Sequence, residues 1–157
     1  MDNAYQLKKY INFSKKVITL KITLRYSNNL HFKANIRQFE NIELDEPDTF
    51  HGTNLGPSSV EYLLVSIGGC VGTTFVYCLQ KNNIKIDNLN IIIEGILSHK
   101  GPKQKLRITE VNVTIEYKIK EKSLLRKIEF CKQEFQQNCT VTNSIIEGFP
   151  ININYKT

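Results

Sequence analysis

Two of the four cysteines in this 157-residue chain, Cys70 and Cys139, sit in sequence surroundings suited to thiol chemistry. Cys70 lies in Ile67-Gly68-Gly69-Cys70-Val71-Gly72. The flanking glycines leave its sulfur unshielded by bulky neighbours, as an attacking thiolate or an approaching substrate requires. Cys139 stands in Asn138-Cys139-Thr140-Val141-Thr142-Asn143, directly after an amphipathic stretch. A helix starting just beyond it presents free backbone N–H groups that favour a thiolate and lower its pKa. Two such thiols can carry redox chemistry, one sulfur attacking and becoming oxidised and the other condensing with it to a disulfide. Each position also has a plainer reading as a small, half-buried hydrophobe. Cys78 and Cys131 fall on the apolar faces of their helices and read as core.

The N-terminus, MDNAYQLKKYINFSKK, lacks the apolar run and small-residue cleavage site of a secretory signal, so the expected location is the cytoplasm. In that reducing compartment cysteines are expected to be free, catalytic or metal-bound rather than structural cross-links. With no C-x-x-C and only three His, a zinc site has little support. The net charge of +6 comes mostly from lysines spread from Lys8 to Lys156. No helix-turn-helix, zinc-finger or aromatic RNA-binding pattern accompanies them, so nucleic acid is not an expected partner.

These thiols need a frame, and the hydrophobic fraction of 41% and charged fraction of 23% fit one globular domain over residues 1–157. Residues 1–16 read as a flexible N-terminal extension. Residues 17–26 alternate Ile18, Leu20, Ile22 and Leu24 with polar partners, the period of a half-buried strand. Asn28-Asn29 supplies a turn, and LHFKANIR alternates again, with Arg37 on its polar face, completing a hairpin. A short third strand, FENIEL, leads into the loop EPDTFHGTNLGP.

From Pro57 to about Gln80 the chain is apolar on nearly every face of a helical wheel and starts with Pro57-Ser58-Ser59. Tyr62 to Leu79 carries no charge over 18 residues, the minimum for a membrane span. Its Ser, Thr and Gly content and its amphipathic neighbours favour a buried central helix instead, with no membrane partner. Gly68 and Gly72 share a face and predict a close helix-on-helix contact, within the chain or across a dimer. Two strands follow, IDNLNIIIEGIL and EVNVTIEYKI, joined by a polar loop, SHKGPKQK. Residues 122–137 form an amphipathic helix with Leu124, Leu125, Ile128, Cys131 and Phe135 inward. A short turn or helix comes next, and Ile151, Ile153 and Tyr155 close the chain as a strand. Strands gathered around helices in this order predict an α+β fold.

The run DEPDTFHGTNLGPSSVEYLLVSIGGC, from Asp45 to Cys70, resembles the signature of the OsmC and organic-hydroperoxide-resistance family, closest to its OsmC-like subgroup. Its parts are an acidic-Pro loop, a Gly-rich turn, a Pro and a Glu, and then an apolar helix reaching a cysteine. NCTVTNS, at Asn138 to Ser144, is similar to the family's second cysteine region. The resemblance implies an OsmC-like fold, antiparallel sheets wrapped around a buried central helix in an intertwined homodimer. It also implies a thiol peroxidase of the oxidative-stress response that needs no metal, flavin or haem. Organic hydroperoxides would be its substrates and an external dithiol its reductant. Cys70 would be the peroxidatic thiol and Cys139 the resolving one, while Arg37, with Arg25 as fallback, would supply the positive charge that ionises Cys70. A glutamate that orients the arginine is implied ten residues before Cys70, where Val60 stands. Glu61, nine before, is the candidate in this chain. Nine residues turn a helix through about 180°, so Glu61 reaches the Cys70 side only if Gly68-Gly69 bends the helix or another subunit completes the site. The alternative within the same fold is a redox sensor or small-ligand binder with little turnover.

Overall fold

In a computed structural model of the chain, which describes residues 17–119 and 122–156, the alternating segments form antiparallel hairpins. The expected extension, residues 1–16, lies outside the described residues. The chain divides into two compact units, one ending at Pro57 and the other beginning at Ser58.

The first unit is a three-stranded sheet of β1 (Thr23–Asn28), β2 (His31–Ile36) and β3 (Phe39–Leu44), in that order. Leu24 pairs with Ala34 and Ala34 with Ile42, so small and branched apolar residues line up across the strands. β1 begins later than the alternation predicts. Its first residue, Thr23, pairs with Asn35 near the end of β2, and residues 17–22 pair with no strand among the described residues and stay exposed. Arg37 is also displaced from its expected place on β2. It occupies the β2–β3 turn with φ 55°, and its guanidinium lies 5.6 Å from the centre of the Phe39 ring. His31, expected on a solvated face, is buried against the Glu43 carboxylate.

The acidic-Pro loop folds around Asp45, whose side chain is fully buried. Its carboxylate accepts hydrogen bonds from the Glu46, Thr53 and Leu55 amides at 2.8, 3.1 and 3.2 Å, and from the Thr53 hydroxyl. Burial alone pushes this carboxyl up, but the four donors outweigh it and hold the pKa below the usual value.

The second unit is built on α1 (Ser59–Lys81). Ser58 caps it: its hydroxyl accepts the Glu61 amide, while the Glu61 carboxylate accepts the Ser58 amide at 2.6 Å. Ile67, Val71, Phe75 and Leu79, four residues apart, make the buried stripe. Phe75 and Leu79 join Ile84, Ile128 and Cys131 in the core. Among the described residues of this unit, that stripe is the covered side of α1. Val65 and Tyr77 on the rest of its surface are exposed, against the expectation of burial all round. α1 is long and apolar enough to cross a membrane, and here its apolar stripe packs on β4, α2 and α3.

β4 (Asp87–Lys100) and β5 (Lys105–Lys118) form one long hairpin. The polar stretch expected as a loop over residues 98–105 is half strand: only residues 101–104 turn, and the strands run on through Lys100 and from Lys105. Its side chains are polar because the tip is exposed, and Gly101 at φ 72° lets four residues reverse the chain. Gly68 and Gly72 approach a strand, not another helix. A methyl at either would overlap Ile93 or Ile91 of β4.

α2 (Leu125–Asn138), preceded by a short 3-10 turn, buries Ile128 and Cys131, while Leu125 is 52% exposed despite its expected inward place. The Phe135 side chain lies outside the described ones. α3 (Thr140–Glu147) follows after one residue, and Gly148 closes it. Residues 151–155 keep their alternation but pair with no strand among the described residues, so the expected closing strand does not form.

Candidate active site

α1 and the α2–α3 junction bring Cys70 and Cys139 together. Cys139 is the N-cap residue of α3, with an extended backbone at φ −75° and ψ 101°, so the amides of the first turn of α3 open toward it. The Val141 amide donates to Cys70 Sγ at 3.4 Å, and Cys139 Sγ lies 3.0 Å from Thr142 Oγ1. Cys139 is 1% exposed, whereas Cys70 is half-buried, so Cys70 is the sulfur that solvent reaches.

Burial is the largest single influence on the Cys139 thiol and pushes its pKa up. Hydrogen bonds from the Thr142 hydroxyl and the Cys70 thiol, and then from the Thr142 and Val141 amides, together outweigh it and hold the pKa below that of an ordinary thiol. The α3 amides expected to favour the Cys139 thiolate contribute, but after two side chains, the Thr142 hydroxyl and the Cys70 thiol. Val141 and Thr142 were not singled out from the sequence. The signal for Thr142 was its spacing, because a residue three beyond an N-cap points back at the cap.

The glycines do different work from that expected. Gly68 and Gly72 seat α1 on β4, and only Gly69, with nothing near the position of an added Cβ, borders open space beside Cys70. Glu61 is occupied in the capping box, where first the Ser58 amide and then its hydroxyl hold the carboxyl below its usual pKa. α1 runs unbroken through Gly68 and Gly69, so Glu61 lies about 14 Å along the helix from Cys70 and on its opposite side. Arg37 and Arg25 belong to the first unit, Arg37 in its turn and Arg25 on the exposed β1 opposite Lys33. Among the described residues no three His, Cys, Asp or Glu side chains gather as a metal site requires.

A cavity of about 520 Å³ has walls that include Ile67, Val71, Val113, Ile145 and Thr142. Neither cysteine lines it; Thr142, whose hydroxyl lies at Cys139 Sγ, is shared between its wall and the thiol site.

Cys78 and Cys131 are bonded to each other, with Cα atoms 5.5 Å apart. This corrects their reading as unlinked core residues. The reducing compartment inferred from the N-terminus bears on how long a disulfide persists. The packing of α1 on α2 is what sets whether the sulfurs meet, and this separation is in the usual bridging range.

The structure is an α+β fold that gathers two free thiols at a helix N-terminus. The chain belongs to the OsmC-like protein family, whose model matches residues 52–154. An OsmC-like protein from Mycoplasma pneumoniae is similar in structure, with a TM-score of 0.68 and 20% identity over 82% of this chain and 88% of that one. An organic hydroperoxide resistance protein OsmC from Legionella pneumophila aligns with a TM-score of 0.59 and 14% identity, covering 83% of this chain and 91% of that one. The organic hydroperoxide resistance protein OhrB of Bacillus subtilis aligns with a TM-score of 0.55 and 16% identity, covering 81% and 90%. No curated protein matches the chain.

Proposed function

We propose that the protein is a cytoplasmic, homodimeric peroxidase that reduces organic hydroperoxides with Cys70 and Cys139. The observation that carries this reading is the placement of both thiols at the start of α3, the outer one reachable and the inner one held toward its thiolate. Cys70 thiolate attacks the outer oxygen of the hydroperoxide and breaks the O–O bond. The sulfur takes up that oxygen as sulfenic acid, and the alkoxide leaves as alcohol after gaining a proton. Cys139 thiolate then displaces hydroxide from the sulfenic sulfur, which leaves as water and a Cys70–Cys139 disulfide. A dithiol supplies two electrons and two protons to reopen it. The cavity that shares Thr142 with the thiol site has an apolar wall suited to an alkyl chain, which favours organic over hydrogen peroxide. The chemistry takes place at sulfur and needs no bound cofactor.

A redox sensor of the same fold is the second reading, favoured by the commitment of Glu61 to the helix cap instead of to an arginine. Consumption of cumene hydroperoxide with a dithiol separates the two. Cys70→Ser is expected to lower turnover by at least about a hundredfold; with the dithiol left out, Cys139→Ser should give one equivalent of alcohol and stop at a Cys70 sulfenic acid, where the parent goes on to the Cys70–Cys139 disulfide. Equal turnover in Cys70→Ser overturns the peroxidase reading. The cation roles of Arg37 and Arg25 are tested separately. A drop of about tenfold in the Cys70 alkylation rate of Arg37→Ala or Arg25→Ala supports the residue concerned, and an unchanged rate removes it.

A further inference from the structure

The second cysteine pair has two faces of unequal access. Cys131 is 0% exposed and sealed among Phe75, Leu79, Ile84 and Ile128. Cys78, its partner, is half-buried and forms part of the wall of a separate cavity of about 740 Å³. Thr73, Tyr77, Lys81 and Asn82 share that wall. Asn82 Nδ2 lies 3.6 Å from both sulfurs and 2.9 Å from the Cys78 carbonyl, which fixes its amide beside the bond. The Lys81 ammonium sits 4.7 Å from the centre of the Tyr77 ring, a positive charge on the cavity wall.

We propose that Cys78–Cys131 is a second redox centre, a disulfide that small dithiols open from this cavity by attack at Cys78. The inference is independent of peroxide reduction by Cys70. Exchange requires the attacking thiolate to approach one sulfur along the line of the S–S bond, and only Cys78 offers a free approach. The attacker forms a bond to Cys78 Sγ and the Cys78–Cys131 bond breaks. Cys131 leaves as thiolate beside the Asn82 amide and takes up a proton in its apolar surroundings. The second thiol of the reductant then attacks the reductant sulfur of the mixed disulfide, releasing Cys78 as thiol. The dithiol becomes a cyclic disulfide, and the protein gains two electrons and two protons. The cavity wall carries one charge of each sign, Lys81 and Glu134, so access to Cys78, and not a net field, directs the attack.

The test uses the chain with Cys70→Ser and Cys139→Ser, so that a failure of the peroxidase reading cannot be confused with a failure of this one. The protein is equilibrated in reduced and oxidised dithiothreitol at graded ratios, free thiols are alkylated, and intact mass is read alongside circular dichroism. Cys78 and Cys131 are expected to gain two alkyl groups in one step while the spectrum stays native. Peptide mass analysis of the chain with all four cysteines gives the same reading without relying on the double variant. Adding Cys131→Ser leaves Cys78 alone, and dithionitrobenzoate should capture it. Adding Cys78→Ser instead should slow capture of the remaining thiol at least about tenfold. Three results overturn the proposal: two free thiols in fully oxidised buffer, a disulfide that dithiothreitol reduces only in denaturant, or equal capture rates for the two single thiols.

Discussion

The two cysteine pairs lie on the same helical segments and differ in what surrounds them. Cys70 and Cys78 are eight residues apart on α1, and Cys131 and Cys139 are eight apart from α2 to the α3 cap, so the pairs stack in antiparallel order. At one end the sulfurs meet the opening amides of a helix and a hydroxyl, and both remain thiols. At the other they meet Phe75, Ile128 and a single amide, that of Asn82 at 3.6 Å, and are bonded. Spacing brings both pairs together, and the polar groups within reach decide which can hold charge on sulfur. A thiolate is stabilised by donors, whereas an apolar pocket favours neutral sulfur, as thiol or disulfide.

That contrast breaks most visibly in stability. The Cys78–Cys131 bond joins positions separated by 53 residues, so Cys78→Ala should lower the unfolding free energy of the oxidised protein by about 4 kcal/mol in urea. Cys70→Ser closes no loop and leaves the core intact, and should change it by less than about 1 kcal/mol. Equal losses in the two variants remove the distinction between a cross-linked end and a reactive end.

The glycines of α1 sharpen the reactive end. Gly68→Ala must displace both Cγ1 and Cδ1 of Ile93 on β4 and should cost about 1–3 kcal/mol. Gly72→Ala meets only the free end of Ile91, which can turn aside, and should stay within about 1 kcal/mol of the parent. Gly69→Ala faces open space within a helix and should gain roughly 0.5–1 kcal/mol by helix propensity. Thermal unfolding of the three variants checks the order. A stabilising Gly68→Ala shows that α1 is not seated on β4 in the way that positions Cys70.

Much of this frame was legible in the sequence. Charge-free residues 62–79 identified the central helix, and strict alternation in EVNVTIEYKI and LHFKANIR identified strands, because burial on one face leaves a period the eye can follow. The same period misled at 17–22 and 151–155, where alternation reports that a strand has a face but not that another strand lies beside it. Polar composition hid the tip of the β4–β5 hairpin for the converse reason, since an exposed strand needs no apolar face. Cys70 and Cys139 came from neighbours and family likeness. The Cys78–Cys131 bond was missed even though the equal eight-residue spacings were present, because compartment outweighed geometry. Arg37 was missed as a turn residue because nothing in NIRQF marks a left-handed position; the turn is imposed by the register of β2 on β3.

The Thr142 hydroxyl is the donor that most distinguishes the reactive end. In a Cys70→Ser background, Thr142→Val removes it without changing side-chain size, so the Cys139 thiolate absorbance should appear at higher pH than with Thr142 in place. A depressed thiol pKa stabilises the fold in full above the pH at which the unfolded thiol ionises. That contribution falls away as pH drops through the folded pKa. Thr142→Val should therefore lose stability at alkaline pH and little at neutral pH. An unmoved titration assigns the depression to the α3 amides alone.

The smallest effect concerns the start of α1, far from both pairs. Ser58→Ala removes half of the capping box and should cost about 1 kcal/mol. The folded pKa of Glu61 is depressed by the Ser58 amide and hydroxyl, so its contribution is present above the ordinary glutamate pKa and lost as pH falls through the folded value. Glu61→Gln should accordingly lower the urea midpoint at neutral pH and converge with the parent in acid. This variant also separates two roles for one carboxylate. A residue that only caps α1 alters stability and leaves the alkylation rate of Cys70 within about twofold, because the helix N-terminus acts over its first turn and Cys70 lies two and a half turns away. A larger fall in that rate, with stability unchanged, means that the carboxylate acts on the reactive thiol from another subunit, and the reactive end is then not defined by α3 alone.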